Sequence, residues 1–481
     1  MNVETLSIAE LAEKIRSGEI SQSEVREAFA NRVKSLDPKI EAFNLVSESF
    51  PETDKNLPLA GIPIGVKDVF SEKDVKTTAS SKMLANFSAP YESTVTARLK
   101  AAGAVSMGKL NMDEFAMGGS GENSAVRITK NPWALDRIPG GSSSGSAAAV
   151  AAGLVPAALG TDTGGSIRQP ASMCGIVGFK PTYGRLSRYG IIAMASSLDT
   201  PGFFSRTVRD SATLYEIAAG HDPLDSTSLD LPAKLDANIW NATDLKGVKI
   251  GIPKEYFVDG MEADVKREIN AAIEKARELG AEIKEISLPN TQYGLAVYYV
   301  VMPAEVSTNL ARYDGLRFGH SSAVPSDIAK NRSEGFGKEA QRRIMLGSFV
   351  LSSGFYDAYY KKASLVRELI KKDFDEAFKE VDVIFTPTSP SVAWKIGEKA
   401  EDPLKMYLSD IFTVNASLAQ LPGLSLPVGY GKTEDGSGDQ TELPVGLQIL
   451  GPRLGEEAVF KVSHVMEKAL AHKMTKKPNI G

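Results

Sequence analysis

Two glycine–serine segments stand close together in this chain, Gly140-Gly141-Ser142-Ser143-Ser144-Gly145-Ser146 and Thr163-Gly164-Gly165-Ser166. Small residues let backbone amides and hydroxyls approach a reacting group closely, so such segments suit a nucleophile or an anion. Neither is a phosphate-cradling loop: no Gly-Lys-Ser/Thr follows the first, and no GxGxxG spacing opens the second. By composition alone the first segment reads equally well as a linker. Its flanks argue against that. Ala147 to Leu154 is a run of strong helix formers, and Pro156 to Thr161 reads as a buried apolar stretch feeding the second segment.

A serine nucleophile requires a base. The chain has four histidines, His221, His320, His464 and His472, and none lies within fifty residues of Ser166. A distant histidine folding into place is one solution; a lysine in a dry pocket is another, provided burial populates its neutral form. Lys67 sits between Leu57 and Phe70 in a stretch dominated by apolar residues, with Asp68 the only nearby counter-charge. On that segment alone, the solvated end of a strand is an equally good reading.

Lys67 and Ser142 are 75 residues apart, and Ser142 and Ser166 are 24 apart. These residue types, intervals and glycine contexts resemble the amidase signature family, whose Ser–Ser–Lys triad has the same spacing. The likeness continues through Gly164-Gly165-Ser166-Ile167-Arg168-Gln169-Pro170-Ala171 and Gly178-Phe179-Lys180-Pro181-Thr182-Tyr183-Gly184-Arg185. Within that family there is a closer likeness, over nearly the whole chain, to the A subunits of glutamyl-tRNA(Gln) amidotransferases. It is carried by Asn111 to Gly118, Ser187 to Gly190, Ala195 to Asp199, Arg332 to Glu339 and Tyr356 to Tyr360. One departure is Ser144, where the family usually has glycine; serine fits there unless the position needs positive φ.

The resemblance implies a glutaminase. Ser166 would attack the side-chain amide carbon of glutamine, and its proton would pass through Ser142 to neutral Lys67. Amides of Thr163, Gly164, Gly165 and Ser166 would hold the oxyanion, and the peptide bond before Ser142 would be cis. Ser143 either supports the bridging serine or simply starts a helix. The family's glutamine-binding residues map to Tyr298, Arg343 and Asp410. Arg343 suits the α-carboxylate through paired hydrogen bonds, and Asp410 the α-ammonium; without that context both read as surface helix charges. No metal or cofactor is implied for this chain. ATP and Mg belong, on the same resemblance, to a B-type subunit that also binds tRNA, with a small C-type subunit clamping the two. The complex would convert Glu-tRNA(Gln) to Gln-tRNA(Gln); the alternative is a stand-alone amidase on other primary amides.

Composition agrees with a soluble, cytoplasmic enzyme. The chain has 481 residues, 42% of them hydrophobic, and a net charge of −5. That charge lacks the basic surplus of a protein that grips nucleic acid by itself, so tRNA is expected on another subunit. The terminal run Lys473-Met474-Thr475-Lys476-Lys477 reads as a small solvated basic tail. The longest low-polarity run, Ala147 to Gly160, is broken by Pro156 and falls short of the about 20 residues a bilayer needs. Met1 to Ser7 has neither a basic start nor an apolar stretch, so no secretion signal is read there. The single cysteine, Cys174, reads as a core filler.

Helices and strands alternate along the chain. Ser7-Ile8-Ala9-Glu10 and Ser21-Gln22-Ser23-Glu24 are capping boxes opening two helices within about residues 7–35, the first closed by Gly18. Ser93 to Ala102 reads as a helix and Ala104 to Met107 as a strand. Gly247 to Ile252, Glu282 to Leu288, Asp382 to Phe385 and Pro444 to Leu450 read as strands, with a helix over Glu262 to Leu279. Such alternation predicts an α/β fold, and the family supplies its version: one large mixed sheet covered by helices on both faces, in a single domain over 1–481. The catalytic core would span about residues 57–210, and the glutamine-recognition and partner-facing part about 290–425. Gly431 to Gln440 reads as a polar, mobile loop.

Overall fold

The computed structural model describes residues 3–257, 260–317, 319–434, 440–478 and 480. Among these the strands are β1 (Phe43–Val46), β2 (Pro63–Lys67), β3 (Val105–Leu110), β4 (Ala157–Asp162), β5 (Val177–Lys180), β6 (Thr200–Ser205), β7 (Lys249–Pro253), β8 (Glu282–Ile286), β9 (Val383–Pro387), β10 (Gly423–Glu434) and β11 (Gln440–Leu450). They form one 11-stranded sheet in the order β1-β3-β2-β4-β6-β5-β10-β11-β9-β7-β8. β2 runs parallel to β3 and β4, and β7 parallel to β8 and β9. The other pairs are antiparallel, so the sheet is mixed, as expected.

Every residue of β2, β4, β5 and β6 is buried. Successive strand side chains point to opposite faces, so complete burial means that both faces are covered. The helix Ser144–Ala151 supplies part of that cover, and its small residues set how closely it lies. A Cβ on Gly145 would stand 2.3 Å from Ala42 O and 2.6 Å from Asn111 N, while Ser146 Oγ donates to Leu159 O at 2.8 Å. Ser144 opens this helix without a left-handed φ, so nothing in its backbone demands glycine.

Local signals held well at the amino terminus. Ser7 and Ser21 each form both halves of a capping box, and Gly18 closes the first helix at φ 77°. The second helix runs to Ile40, past the expected end, because Pro38 lies in its last turn and removes a single backbone donor. Two expectations change at the other end. Gly431 to Glu434 is not loop: it extends β10 against β11, with Gly431 opposite Leu443 and Lys432 opposite Glu442. Polar residues suit a hairpin arm that leaves the core, and residues 435–439 of the anticipated loop lie outside the described residues. Nor is the basic tail simply solvated, since Lys473 pairs with Glu268 at 3.2 Å and Lys476 pairs with Glu442. No helix among the described residues is long and apolar enough to cross a membrane.

Candidate active site

Because β2 and β4 are parallel neighbours, their carboxyl ends meet at one edge of the sheet, the edge where open α/β sheets bind ligands. Lys67 ends β2, Thr161 and Asp162 end β4, and Ser142 and Ser143 lead into the helix between β3 and β4. The Lys67 Nζ stands 2.9 Å from Ser142 Oγ, 2.8 Å from Ser143 Oγ and 2.8 Å from Thr161 Oγ1. Lys67 is fully buried and forms no ion pair among the described residues. Burial pushes its amine down to about 7, against the opposing pull of Asp113, Asp162 and Asp199. Asp68, its neighbour in sequence, pairs elsewhere: it accepts from Asn44 and Thr78 and stands 3.8 Å from Lys109 Nζ.

Ser143 stands at the N-cap position of the helix Ser144–Ala151, but its side chain caps nothing; its hydroxyl donates to Thr161 O at 3.3 Å, leaving its oxygen to accept from the amine. The Gly141–Ser142 peptide bond is cis, as the family resemblance implied. Asp113 braces that turn. Its amide donates to Ser142 O at 3.1 Å, and its carboxylate accepts from Gly121 N and Asn123 N at 3.0 Å each.

The second glycine–serine segment is the turn leaving β4, and Asp162 organises it. The carboxylate accepts from Gly165 N at 2.9 Å and Ile167 N at 3.2 Å, and pairs with Arg168 at 2.8 Å. Burial raises the Asp162 carboxyl, yet Arg168 and the donated hydrogen bonds bring it to about 2, so it stays ionised. The Gly165 amide is therefore spent on Asp162 and does not face an oxyanion, contrary to expectation. The amides of Thr163, Gly164 and Ser166 have no partner among the described residues and remain for that role. The Thr163 hydroxyl donates to Asp199 Oδ1 at 2.8 Å.

Ser166 is the one residue from Thr161 to Pro170 that is not buried. Its hydroxyl takes no partner among the described residues, so the expected relay is joined from Lys67 to Ser142 but not onward to Ser166. The reason lies in its position: its neighbours are anchored by Asp162, while its own side chain is left to the accessible side. Catalytic hydrogen bonds of this kind close in the substrate complex.

Gly165 has φ 137°, and a Cβ there would stand 2.2 Å from Thr413 Oγ1, the hydroxyl that donates to Gly164 O at 2.6 Å. Gly165→Ala is expected to combine backbone strain with loss of that clamp, costing about 2–3 kcal/mol in chemical denaturation.

The three candidate recognition residues converge here from a distant part of the chain. Tyr298, on the helix Gly294–Asn309, lies against the turn: a Cβ on Gly164 would stand 2.6 Å from its Oη. Asp410 is tied to the same turn, because Thr413 Oγ1 bonds both Gly164 O and Asp410 O. Burial pushes the Asp410 carboxyl up to about 7, and a hydrogen bond from Tyr299 Oη at 3.0 Å pulls it down. Arg343, on the helix Lys338–Leu351, is 4% exposed; its Nε donates to Glu339 Oε1 at 2.8 Å, leaving Nη2 without an acceptor among the described residues.

The family profile described as Amidase matches residues 24–460. The chain belongs to the amidase family. It is 51% identical to the A subunit of glutamyl-tRNA(Gln) amidotransferase from Carboxydothermus hydrogenoformans, over 97% of this chain and 98% of that one. It is 49% identical to the protein of the same name from Halothermothrix orenii, over the full length of both. The crystal structure of the Thermotoga maritima A subunit of the same amidotransferase, 40% identical, superposes with a TM-score of 0.84 and covers 100% of this chain and 98% of that one. Fold and enzyme class therefore agree with the resemblance drawn from the motifs.

The roles of several residues of this amidase site are not legible in the sequence. Thr161 is an ordinary polar residue until the fold sets it beside Lys67, and Asp113 and Asp199 lie in segments that carry the family likeness, with nothing there to show that they would face Lys67 and Thr163. Arg168 and Asp162 sit inside or beside the amidase motif, where nothing in the chain order marks them as a buried pair. Tyr299, which holds Asp410, has no motif match of its own, and Glu339, which holds Arg343, ends the segment Arg332 to Glu339 that carries the likeness, with nothing there to mark that role. Cys174 is buried with its Sγ toward Pro139 O, and burial drives its thiol far up, as fits a core filler.

Proposed function

We propose that this chain is the glutamine-hydrolysing A subunit of a tRNA-dependent amidotransferase, supplying ammonia for the conversion of Glu-tRNA(Gln) to Gln-tRNA(Gln). The observation that carries the reading is a buried lysine amine, free of any counter-ion among the described residues, 2.9 Å from the Ser142 hydroxyl. A neutral amine has two N–H bonds and one lone pair. Ser143, whose hydroxyl hydrogen goes to Thr161 O, accepts one N–H and Thr161 Oγ1 the other, so the lone pair is left for the Ser142 proton.

Ser142 in turn takes the Ser166 proton as Ser166 Oγ attacks the carboxamide carbon of glutamine. The oxyanion forms against the amides of Thr163, Gly164 and Ser166. On collapse the proton returns by the same route to the departing nitrogen, releasing ammonia and leaving a glutamyl ester on Ser166. Water then hydrolyses the ester, giving glutamate and restoring the serine.

Arg343 takes the α-carboxylate and Asp410 the α-ammonium, with Tyr298 closing the pocket over Gly164. This pair favours glutamine over the runner-up reading, a stand-alone amidase on other primary amides, because an apolar amide satisfies neither charge. These steps use only the chain's own groups. ATP, Mg and tRNA are assigned to a B-type subunit, with a small C-type subunit joining the two in the cytoplasm; the net charge of −5 supports leaving tRNA to a partner. A fluorophosphonate probe tests the nucleophile: peptide mapping is expected to find it on Ser166, in proportion to lost glutaminase activity. Modification of any other serine at equal activity loss overturns the assignment.

A further inference from the structure

Two groups in the pocket carry opposite charges, and the structure links them through aromatic rings. Tyr299 follows Tyr298 on the helix Gly294–Asn309, and the roughly 100° step between consecutive helical residues sends one toward Gly164 and the other toward Asp410. The Tyr299 ring stacks on that of Tyr407, with centroids 3.9 Å apart and planes 23° from parallel. The two hydroxyls leave the stack toward different acids. Tyr299 Oη donates to Asp410 Oδ2 at 3.0 Å, and Tyr407 Oη donates to Glu339 Oε1 at 2.9 Å.

That same Glu339 oxygen accepts from Arg343 Nε at 2.8 Å, one helical turn along. The guanidinium carbon of Arg343 also lies 5.6 Å from the Tyr299 ring centre and 5.8 Å from that of Tyr407. The outward groups of this assembly, Arg343 Nη2 and Asp410 Oδ1, take no hydrogen bond among the described residues. Oδ1 faces Gly119, where a Cβ would stand 3.5 Å away.

We propose that Tyr299, Tyr407 and Glu339 form a positioning strut that fixes the spacing between Arg343 and Asp410, so that the two charged ends of an amino-acid substrate are recognised as a pair. The inference rests on the glutamine reading above. None of the three strut residues touches the scissile amide, so the strut acts on substrate binding and leaves the bond-breaking step alone. It also separates this pocket from one with two independent subsites, in which the loss of one anchor leaves the other unchanged.

Tyr299→Phe and Tyr407→Phe each remove one hydroxyl and keep the stacked ring, so both are expected to fold. They are tested singly and together in the enzyme assembled with its partner subunits. The substrates are glutamine, 4-aminobutanamide, which lacks the α-carboxylate, and glutaramic acid, which lacks the α-amino group. Each single variant is expected to raise KM for glutamine about tenfold with kcat nearly unchanged, as suits one hydrogen bond to a charged group. The double variant is expected to be little worse than either single one.

The deciding measurement is Tyr407→Phe on 4-aminobutanamide. That hydroxyl serves the carboxylate end, yet through the strut its loss raises KM for a substrate having only the ammonium end. Tyr299→Phe is further expected to move the acid limb of the KM profile to higher pH, because the hydroxyl that favours ionised Asp410 is gone. Asp410 is otherwise faced by Arg343, with Asp113, Asp162 and Lys399 further off, and all of these are kept.

If the unmodified enzyme prefers glutamine to both truncated amides, but the single effects add and Tyr407→Phe leaves 4-aminobutanamide untouched, the strut is overturned alone. If the unmodified enzyme treats the three amides alike, the glutamine reading falls and the strut with it.

Discussion

Ser166→Ala in the assembled enzyme is expected to lower glutamine-driven formation of Gln-tRNA(Gln) by about 10⁴-fold or more, while formation driven by added ammonium salt proceeds at the unmodified rate. The size follows from losing the nucleophile outright, since no neighbouring hydroxyl can replace it: Ser142 is fully buried against Lys67. The selectivity follows from the structure around Ser166. Its hydroxyl makes no bond among the described residues, and the turn is held instead by Asp162, Arg168 and Thr413. Removing one oxygen therefore leaves the turn and the fold in place. Parallel assays with glutamine and with ammonium chloride check the result. Equal loss with both nitrogen sources means that this chain takes part in the tRNA step, and the division of labour proposed above is wrong.

Lys67→Met is expected to reduce glutamine hydrolysis by about 10³-fold or more while the chain remains folded, because methionine fills similar volume and removes the only base joined to Ser142 among the described residues. The unmodified enzyme supplies a matching pH signature. Neutral amine is the active form and burial holds the group down to about 7, so kcat rises with pH through that region and then levels.

The stability sign is set by the same shift. The ordinary lysine value of 10.5 describes the amine in the unfolded chain, so between about 7 and 10.5 the unfolded chain binds a proton that the folded one does not. Unmodified protein therefore gains stability as pH rises across that window, and Lys67→Met lacks this gain. Thermal melts of both proteins at several pH values read the difference directly. A variant that keeps its turnover, or a wild-type rate that is flat through pH 7, removes lysine as the base.

The motif residues show what kind of information travels in the chain order. Ser142 and Ser166 are legible because each lies in a short glycine–serine run, and Lys67 because the two intervals among the three are fixed numbers. The amino-terminal capping boxes are legible for a related reason, since their hydrogen bonds span three residues. Expectation and structure part in two ways. The Gly165 amide looks free for an oxyanion, yet Asp162, three residues back and paired with Arg168, accepts it. Gly431 to Glu434 looks like loop because its partners belong to the other arm of the hairpin.

By itself, then, the order of residues determined the alternating helices and strands and the small-residue turns, which depend on neighbours a few positions away, and its fixed intervals of 75 and 24 residues pointed to the three triad candidates. Tertiary structure alone decided what those groups are like chemically. The dryness that lowers the Lys67 amine comes from strands and a helix packed around β2, and the ionised Asp162 depends on Arg168, itself held by Gln448, 280 residues on. The pairing of Arg343 with Glu339 and of Asp410 with Tyr299 belongs to the same class. Charge, burial and hydrogen-bond direction are properties of surroundings, and surroundings exist only once distant segments have met.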